Sequence, residues 1–207
     1  EFECRIMESN KKEYCELRLS SLLWKGENLN GKVILILSEQ GLGDIIQFAR
    51  YVYELKERYD VKIIFRTHNK LIHLFKNDKF QIISEKEKIP IHDYYVYLMS
   101  LPKFFFQREQ QLLKQYNFIN KNNAIFFKWK NIFSQIKTPR IGINWQGDNN
   151  FKGDKIRSIP LIHFEPLFNV RGLEYINLQK GFGLEQIDNF KYKKKIHNFS
   201  SLMDSGR

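Results

Sequence analysis

The stretch from residue 33 to residue 58 restricts the fold more than any other. VILILS (33–38) is a continuous apolar, β-branched run, the pattern of a strand buried on both faces. The turn residues EQGLGD follow at once. Ile45, Ile46, Ala49, Val52 and Leu55 then recur at helical spacing, which predicts a helix from about Gly43 to Arg58. A buried strand that turns through two glycines into an amphipathic helix is the opening of a βαβ unit, and therefore of a parallel sheet.

The alternation continues downstream. VKIIFR (61–66) predicts a second strand, NKLIHLFKN a short helix, FQIIS (80–84) a third strand, and DYYVYLMSL (93–101) a fourth that ends at Pro102. Residues 104–136 are aromatic and basic and predict helical pieces around a loop at NKNNA. After TPR (138–140) the pattern restarts: strand IGINW (141–145), a polar loop to Ser158, a helix from about Pro160 to Val170, strand EYINLQ (174–179) and the glycine turn KGFG. The expected organisation is a lead-in over 1–30, a Rossmann-like α/β domain over 31–137 and a shorter, partial one over 138–207.

Bulk properties narrow the function classes. No apolar run approaches the roughly 18 residues that a membrane helix needs. The start, EFECRIMESNKK, is charged and lacks the apolar core of a signal peptide, so a cytoplasmic location is expected. Cys4 and Cys15 form no C-x-x-C pair and suit a reducing compartment. The formal net charge of +11 admits polyanionic partners, an acidic membrane surface among them. It also follows from a composition rich in Lys, Asn, Ile and Phe, and KYKKK (191–195) reads as a solvated face. No specific nucleic-acid partner is expected.

The glycine turn is the chemically pointed segment. A dinucleotide fingerprint needs G-x-G-x-x-G, but after Gly41 and Gly43 the third position is Ile46. The second strand ends in Phe65 and Arg66, with no acid for a ribose. A phosphate-binding G-x-x-x-x-G-K-[ST] is absent, as are H-E-x-x-H, D-x-D and cysteine pairs, so neither a metal nor another cofactor is expected. Asp44 has two readings. It can cap the helix start, where a carboxylate is worth about 0.3–1 kcal/mol, or it can accept the proton of an attacking hydroxyl at the carboxyl end of the first parallel strand.

WKGENLNGKVILILSEQGLGDIIQFARYV (24–52) resembles the start of the glycosyltransferase domain that follows tetratricopeptide repeats in many bacterial proteins, related to heptosyltransferases and to O-linked N-acetylglucosamine transferases. ECR (3–5), YLMSLP (97–102), RIGINWQGDNNFKGDKIRSIPL (140–161) and INLQKGFGLEQI (176–187) resemble further blocks of that family, in its order. The resemblance implies a GT-B architecture, a nucleotide-sugar donor, and a glycan, lipid-linked or protein acceptor. It implies Asp44 as the base, with Glu39, Gln40, Gly41, Gly43 and Gln47 shaping the acceptor loop. It places Gln146, Lys152, Lys155, Arg157, Ser158 and Lys180 near the donor phosphates. Read by residue chemistry alone, the 146–158 loop is either a solvated basic loop or a charge partner for a departing diphosphate. The family's D-T-x-x-x-H-L-A segment has no counterpart before FSSLMDSGR, so an incomplete second domain with an unpaired edge and an uncovered apolar face is expected. With a part of the domain missing, a truncated and inactive binding module is the alternative to an enzyme.

Overall fold

A computed structural model describes residues 21–75, 79–105 and 122–203. The chain forms two compact units, 1–121 and 122–207. Cys4, Cys15 and the ECR segment lie outside the described residues, as does much of 104–121.

The first unit is built on a parallel five-stranded sheet. Its strands are β1 (Leu22–Leu23), β2 (Val33–Leu37), β3 (Lys62–Thr67), β4 (Gln81–Ser84) and β5 (Tyr94–Tyr97), in the order β1-β5-β2-β3-β4. Registers run Ile34↔Ile63, Leu37↔Arg66 and Leu37↔Tyr97, so β2 is hydrogen-bonded on both sides. It is also buried on both faces. Ile34 and Ile36 join Phe65, Val96 and the helices in one core cluster, while Leu35 and Leu37 pack with Ile64, Ile83 and Tyr97 in another. Each such aliphatic side chain contributes about 1.5–3 kcal/mol by leaving water, which is why an unbroken apolar run forms this strand.

The helix expected over 43–58 is two consecutive helices, α1 (Leu42–Phe48) and α2 (Arg50–Arg58). At Ala49 the bond pattern tightens, with Val52 N–H donating to the Ala49 carbonyl three residues back. Ile45, Ala49, Val52 and Leu55 still form one buried stripe against the sheet. A short helix, α3 (Ile72–Phe75), links β3 to β4.

Two differences from the sequence reading matter for the site. The strand expected over 93–101 ends at Tyr97, and Leu98–Ser100 coil into a buried 3-10 turn leading into α4 (Pro102–Phe105). The lead-in is also part of the fold. Leu22 and Leu23 pair with Tyr94 and Tyr95, and Trp24 and Leu29 are buried in the core.

The second unit opens with α5 (Asn123–Ser134), capped by the Asn122 side chain on Ile125 N–H at 3.2 Å. Its parallel strands are β6 (Arg140–Ile143), β7 (Glu174–Asn177) and β8 (Ile196–His197), in the order β6-β7-β8. Trp145, Leu161, Phe168, Tyr175, Ile187 and Phe190 cover one face. On the other side Trp129 and Phe133 of α5 meet Phe199, which stacks on His197. Ile176 is buried, so the apolar face expected to lie open is partly covered, whereas Leu178 is exposed. The α5 contacts explain why the units divide at 121/122 rather than near 137. The helix expected over 160–170 is a 3-10 run, Leu161–Asn169, with Pro166 inside it. A proline lacks the N–H that a continuous α-helix would use there.

Candidate functional site

Two loops stand at equivalent places, each leaving the carboxyl end of its unit's first long parallel strand. In the first unit the loop leaves β2, which has β3 on one side and β5 on the other. The chain steps outward from β2 to β3 and β4, then crosses back to β5. The β2 and β5 ends therefore form a topological switch point, the place where open α/β sheets leave a crevice for ligands.

At that point Glu39 is buried, and its Oε1 accepts Met99 N–H at 3.3 Å, tying the loop after β2 to the turn after β5. Gln40 is exposed and adopts φ 65°, the one non-glycine residue with positive φ among those described. Non-glycine residues seldom take this conformation, and such strain clusters at ligand-binding corners. Gly41 is the N-cap of α1 in an ordinary extended conformation, φ −76°. Asp44 Oδ2 accepts Gly41 N–H at 3.1 Å, so the capping reading of Asp44 holds in the structure. The same bond orients the carboxylate and leaves Oδ1 without a partner among the described residues, on a half-buried side chain. Gly43 has no positive φ, and a Cβ there would meet nothing within 4 Å. Neither backbone nor packing demands that glycine. Gln47 is exposed on α1, and its carbonyl accepts Arg50 Nε at 3.0 Å.

The loop after β6 is built otherwise. It closes on itself where Ile159 N–H reaches the Trp145 carbonyl at 3.0 Å. Inside it a single helical turn, α6 (Asp154–Arg157), and the residue after it bring two side chains onto Asp154. Ser158 Oγ donates to Oδ2 at 2.8 Å and Arg157 Nε to Oδ1 at 3.2 Å, while Ser158 Oγ accepts Gly147 N–H at 3.1 Å. The Ser158 hydrogen bond foremost, then the Arg157 guanidinium, hold the Asp154 carboxyl below its ordinary range against the opposing effect of burial. A Cβ at Gly147 would lie 2.4 Å from Asp154 Oδ1 and 2.6 Å from Arg157 Nη2, so any larger residue would force the Asp154–Arg157 pair to shift.

Behind this loop Gln179 acts as a hub. Its Oε1 accepts Trp145 N–H at 3.3 Å and Gln146 N–H at 2.9 Å, and its Nε2 donates to the Phe182 carbonyl at 2.7 Å. Gln186 Nε2 donates to Gln146 Oε1 at 3.1 Å, and Gln186 Oε1 accepts Leu161 N–H at 2.8 Å. That last bond uses the N–H at the start of the 161–169 run. Arg157 also lies 4.6 Å over the Phe151 ring, and its side chain is 56% exposed. Lys152, Lys155 and Lys180 are exposed.

Of the residues singled out from sequence, the structure gathers Glu39, Gly41 and Asp44 at the first corner and Gln146, Arg157 and Ser158 around the second loop. Asp154, Gln179, Gln186 and Gly147 were missed. For Asp154 a signal existed, since its spacing to Arg157 and Ser158 is i, i+3 and i, i+4, which puts all three on one helical side. Gln179 and Gln186 carried none, because the backbone N–H groups that their side chains hold, those of Trp145, Gln146 and Leu161, lie more than twenty residues away. Among the described residues no group of three or more His, Cys, Asp or Glu side chains is gathered as a metal would need, and no helix is long and apolar enough to cross a membrane.

No protein-family model matches the chain. No solved structure shows significant similarity to it. The chain is similar to Protein FlbA of Caulobacter vibrioides, with 22% identity over 191 residues that cover 82% of this chain and 32% of that protein. The chain thus spans about a third of the length of the relative it matches.

Proposed function

We propose that the chain belongs to a GT-B-type glycosyltransferase that moves a sugar from a nucleotide-sugar donor to a hydroxyl of a glycan, lipid-linked or protein acceptor. One observation carries this reading. The Gly41-x-Gly43-Asp44 corner lies at the β2/β5 switch point, with a glycine that the fold does not demand and a carboxylate oxygen left unpartnered.

In this reading the acceptor hydroxyl gives its proton to Asp44 Oδ1 as its oxygen bonds to the anomeric carbon. The bond between that carbon and the diphosphate oxygen breaks at the same centre, and the nucleoside diphosphate leaves. The Gly41 N–H bond on Oδ2 keeps the base aimed. A departing diphosphate needs cations to match its charge, and Arg157, Lys152 and Lys155 of the second unit are exposed. Nothing in this sequence of steps draws on a metal. Peripheral attachment to an acidic membrane surface is compatible with the basic balance of the chain.

A second reading, a binding module without turnover, is favoured by the engagement of Arg157 with Asp154 and of Leu161 N–H with Gln186. One experiment separates the two. A panel of UDP-, GDP- and ADP-sugars is screened for a rise in Tm, and donor turnover is then measured for wild type and Asp44→Asn. The transferase reading expects a donor that raises Tm and turnover that disappears in the folded variant. Turnover unaffected by the substitution would overturn Asp44 as base, and a Tm rise with no turnover in wild type would favour the binding module.

A further inference from the structure

The first unit holds a second concave site, away from Asp44. A cavity of about 520 Å³ is lined by Trp24, Lys25, Arg58, Tyr59, Lys103 and Phe104, with Gly26 at its rim. Arg58 lies fourteen residues beyond Asp44 along the α1–α2 run, about 20 Å at 1.5 Å per helical residue. The cavity is therefore distinct from the switch-point corner, and what it binds does not rest on the glycosyl-transfer reading.

Its walls have one chemical character. Three side chains carry positive charge and none of the lining residues is acidic. Arg58 is braced by Glu54, Nε to Oε1 at 3.1 Å, and its guanidinium lies 4.5 Å over the Phe105 ring. The ammonium groups of Lys25 and Lys103 make no hydrogen bond among the described residues. Lys103 lies 5.8 Å over the Phe104 ring, and the Lys25 charge, behind the Lys25 backbone N–H, helps hold the Glu27 carboxyl below its ordinary range. The Glu27 carboxylate accepts Lys25 N–H at 2.7 Å and is not itself among the lining residues. The remaining walls are aromatic. Trp24 is buried and packs 4.3 Å from Phe104 and edge-on to Tyr59, which leaves Phe104 and Tyr59 half-buried as an apolar lining. Gly26 is held at φ 109°, a conformation other residues rarely adopt, with Phe104 at van der Waals distance from where a Cβ would stand.

We infer that this cavity binds a small phosphomonoester with an apolar, ring-sized body. The volume lies in the range of small-molecule sites, roughly 300–1,000 Å³. The three lining cations outnumber the two carboxylates beside them, Glu54 and Glu27, so the cavity favours an anionic group, and three donors suit the three terminal oxygens of a phosphate. The aromatic lining takes the apolar body, which a bare phosphate lacks.

The test uses the full chain and phenyl phosphate as probe, with inorganic phosphate, benzoate and benzyl alcohol as controls. Affinity is read by titration calorimetry, and the Trp24 indole N–H resonance reports the site. Phenyl phosphate is expected to bind about tenfold more tightly than each control and to shift the Trp24 resonance. The Lys25→Ala/Lys103→Ala double variant alters exposed positions and keeps the fold. It should weaken binding about tenfold, while Asp44→Asn and Arg157→Ala leave it unchanged. Equal affinity in the double variant would overturn the assignment, as would benzoate binding as tightly as phenyl phosphate. Binding lost with Arg157→Ala would place the anion on the loop after β6 and overturn it too.

Discussion

The loops after β2 and after β6 begin alike, at the end of a parallel strand, yet they spend their polar groups differently. Around β6, nearly every polar group is consumed internally: Asp154 holds Ser158 and Arg157, Gln179 holds two backbone N–H groups, and Gln186 takes a third. At β2 the loop makes few bonds, carries backbone strain at Gln40 and keeps a glycine that packing does not require. A self-satisfied loop is a scaffold that presents a few outer groups. A loop with unspent groups leaves its free energy for a ligand. The contrast separates the loop that holds shape from the corner that can do chemistry.

The largest effect should come at the corner. Asp44→Asn keeps a carbonyl oxygen for the Gly41 N–H but removes the base, so turnover should fall about 100- to 10,000-fold in steady-state assays while Tm barely moves. Next is the hub. Gln179→Leu leaves the N–H groups of Trp145 and Gln146 without their buried acceptor and should cost about 1–3 kcal/mol each in urea unfolding of the second unit. A smaller, paired effect compares two glycines. Gly147→Ala collides with Asp154 and Arg157 and should destabilise by about 1–3 kcal/mol. Gly43→Ala should be neutral or stabilise by a few tenths of a kcal/mol, yet weaken acceptor binding. If both alanines destabilise alike, the contrast between the loops fails.

The smallest effect is a pH dependence. The folded Asp154 carboxyl titrates below its ordinary 3.8, so the unfolded chain binds the extra proton in the interval between the two values. Its stabilising contribution is therefore present above that interval and lost as pH falls through it. Tm of Asp154→Asn should lie below that of wild type near neutrality, and the gap should close toward strongly acidic pH.

Much of the first sheet was legible because β2, β3 and β4 are β-branched runs bounded by turns. The end of β5 was not, since YLMSL is apolar throughout and a buried strand and a buried turn share that pattern. β1 was invisible because two leucines carry no periodicity. The loop after β6 was half legible. Its cations stand out by type, and Asp154 is tied to Arg157 and Ser158 by local spacing, but the roles of Gln179 and Gln186 arise only when β7 brings residues 177–186 against 145–147. The Gly41–Asp44 corner was legible because strand, turn and helix are contiguous there.

The pairing of Leu22 and Leu23 with β5 has a consequence for how this chain can be dissected. A cut at residue 30, where turn residues invite one, would remove an edge strand and take Trp24 and Leu29 out of the interior. The Leu29 carbonyl also seats the entry to β2, accepting Lys32 N–H at 3.0 Å. A pull applied at residue 21 would therefore act on the sheet itself, through the two-residue pairing of β1 with β5.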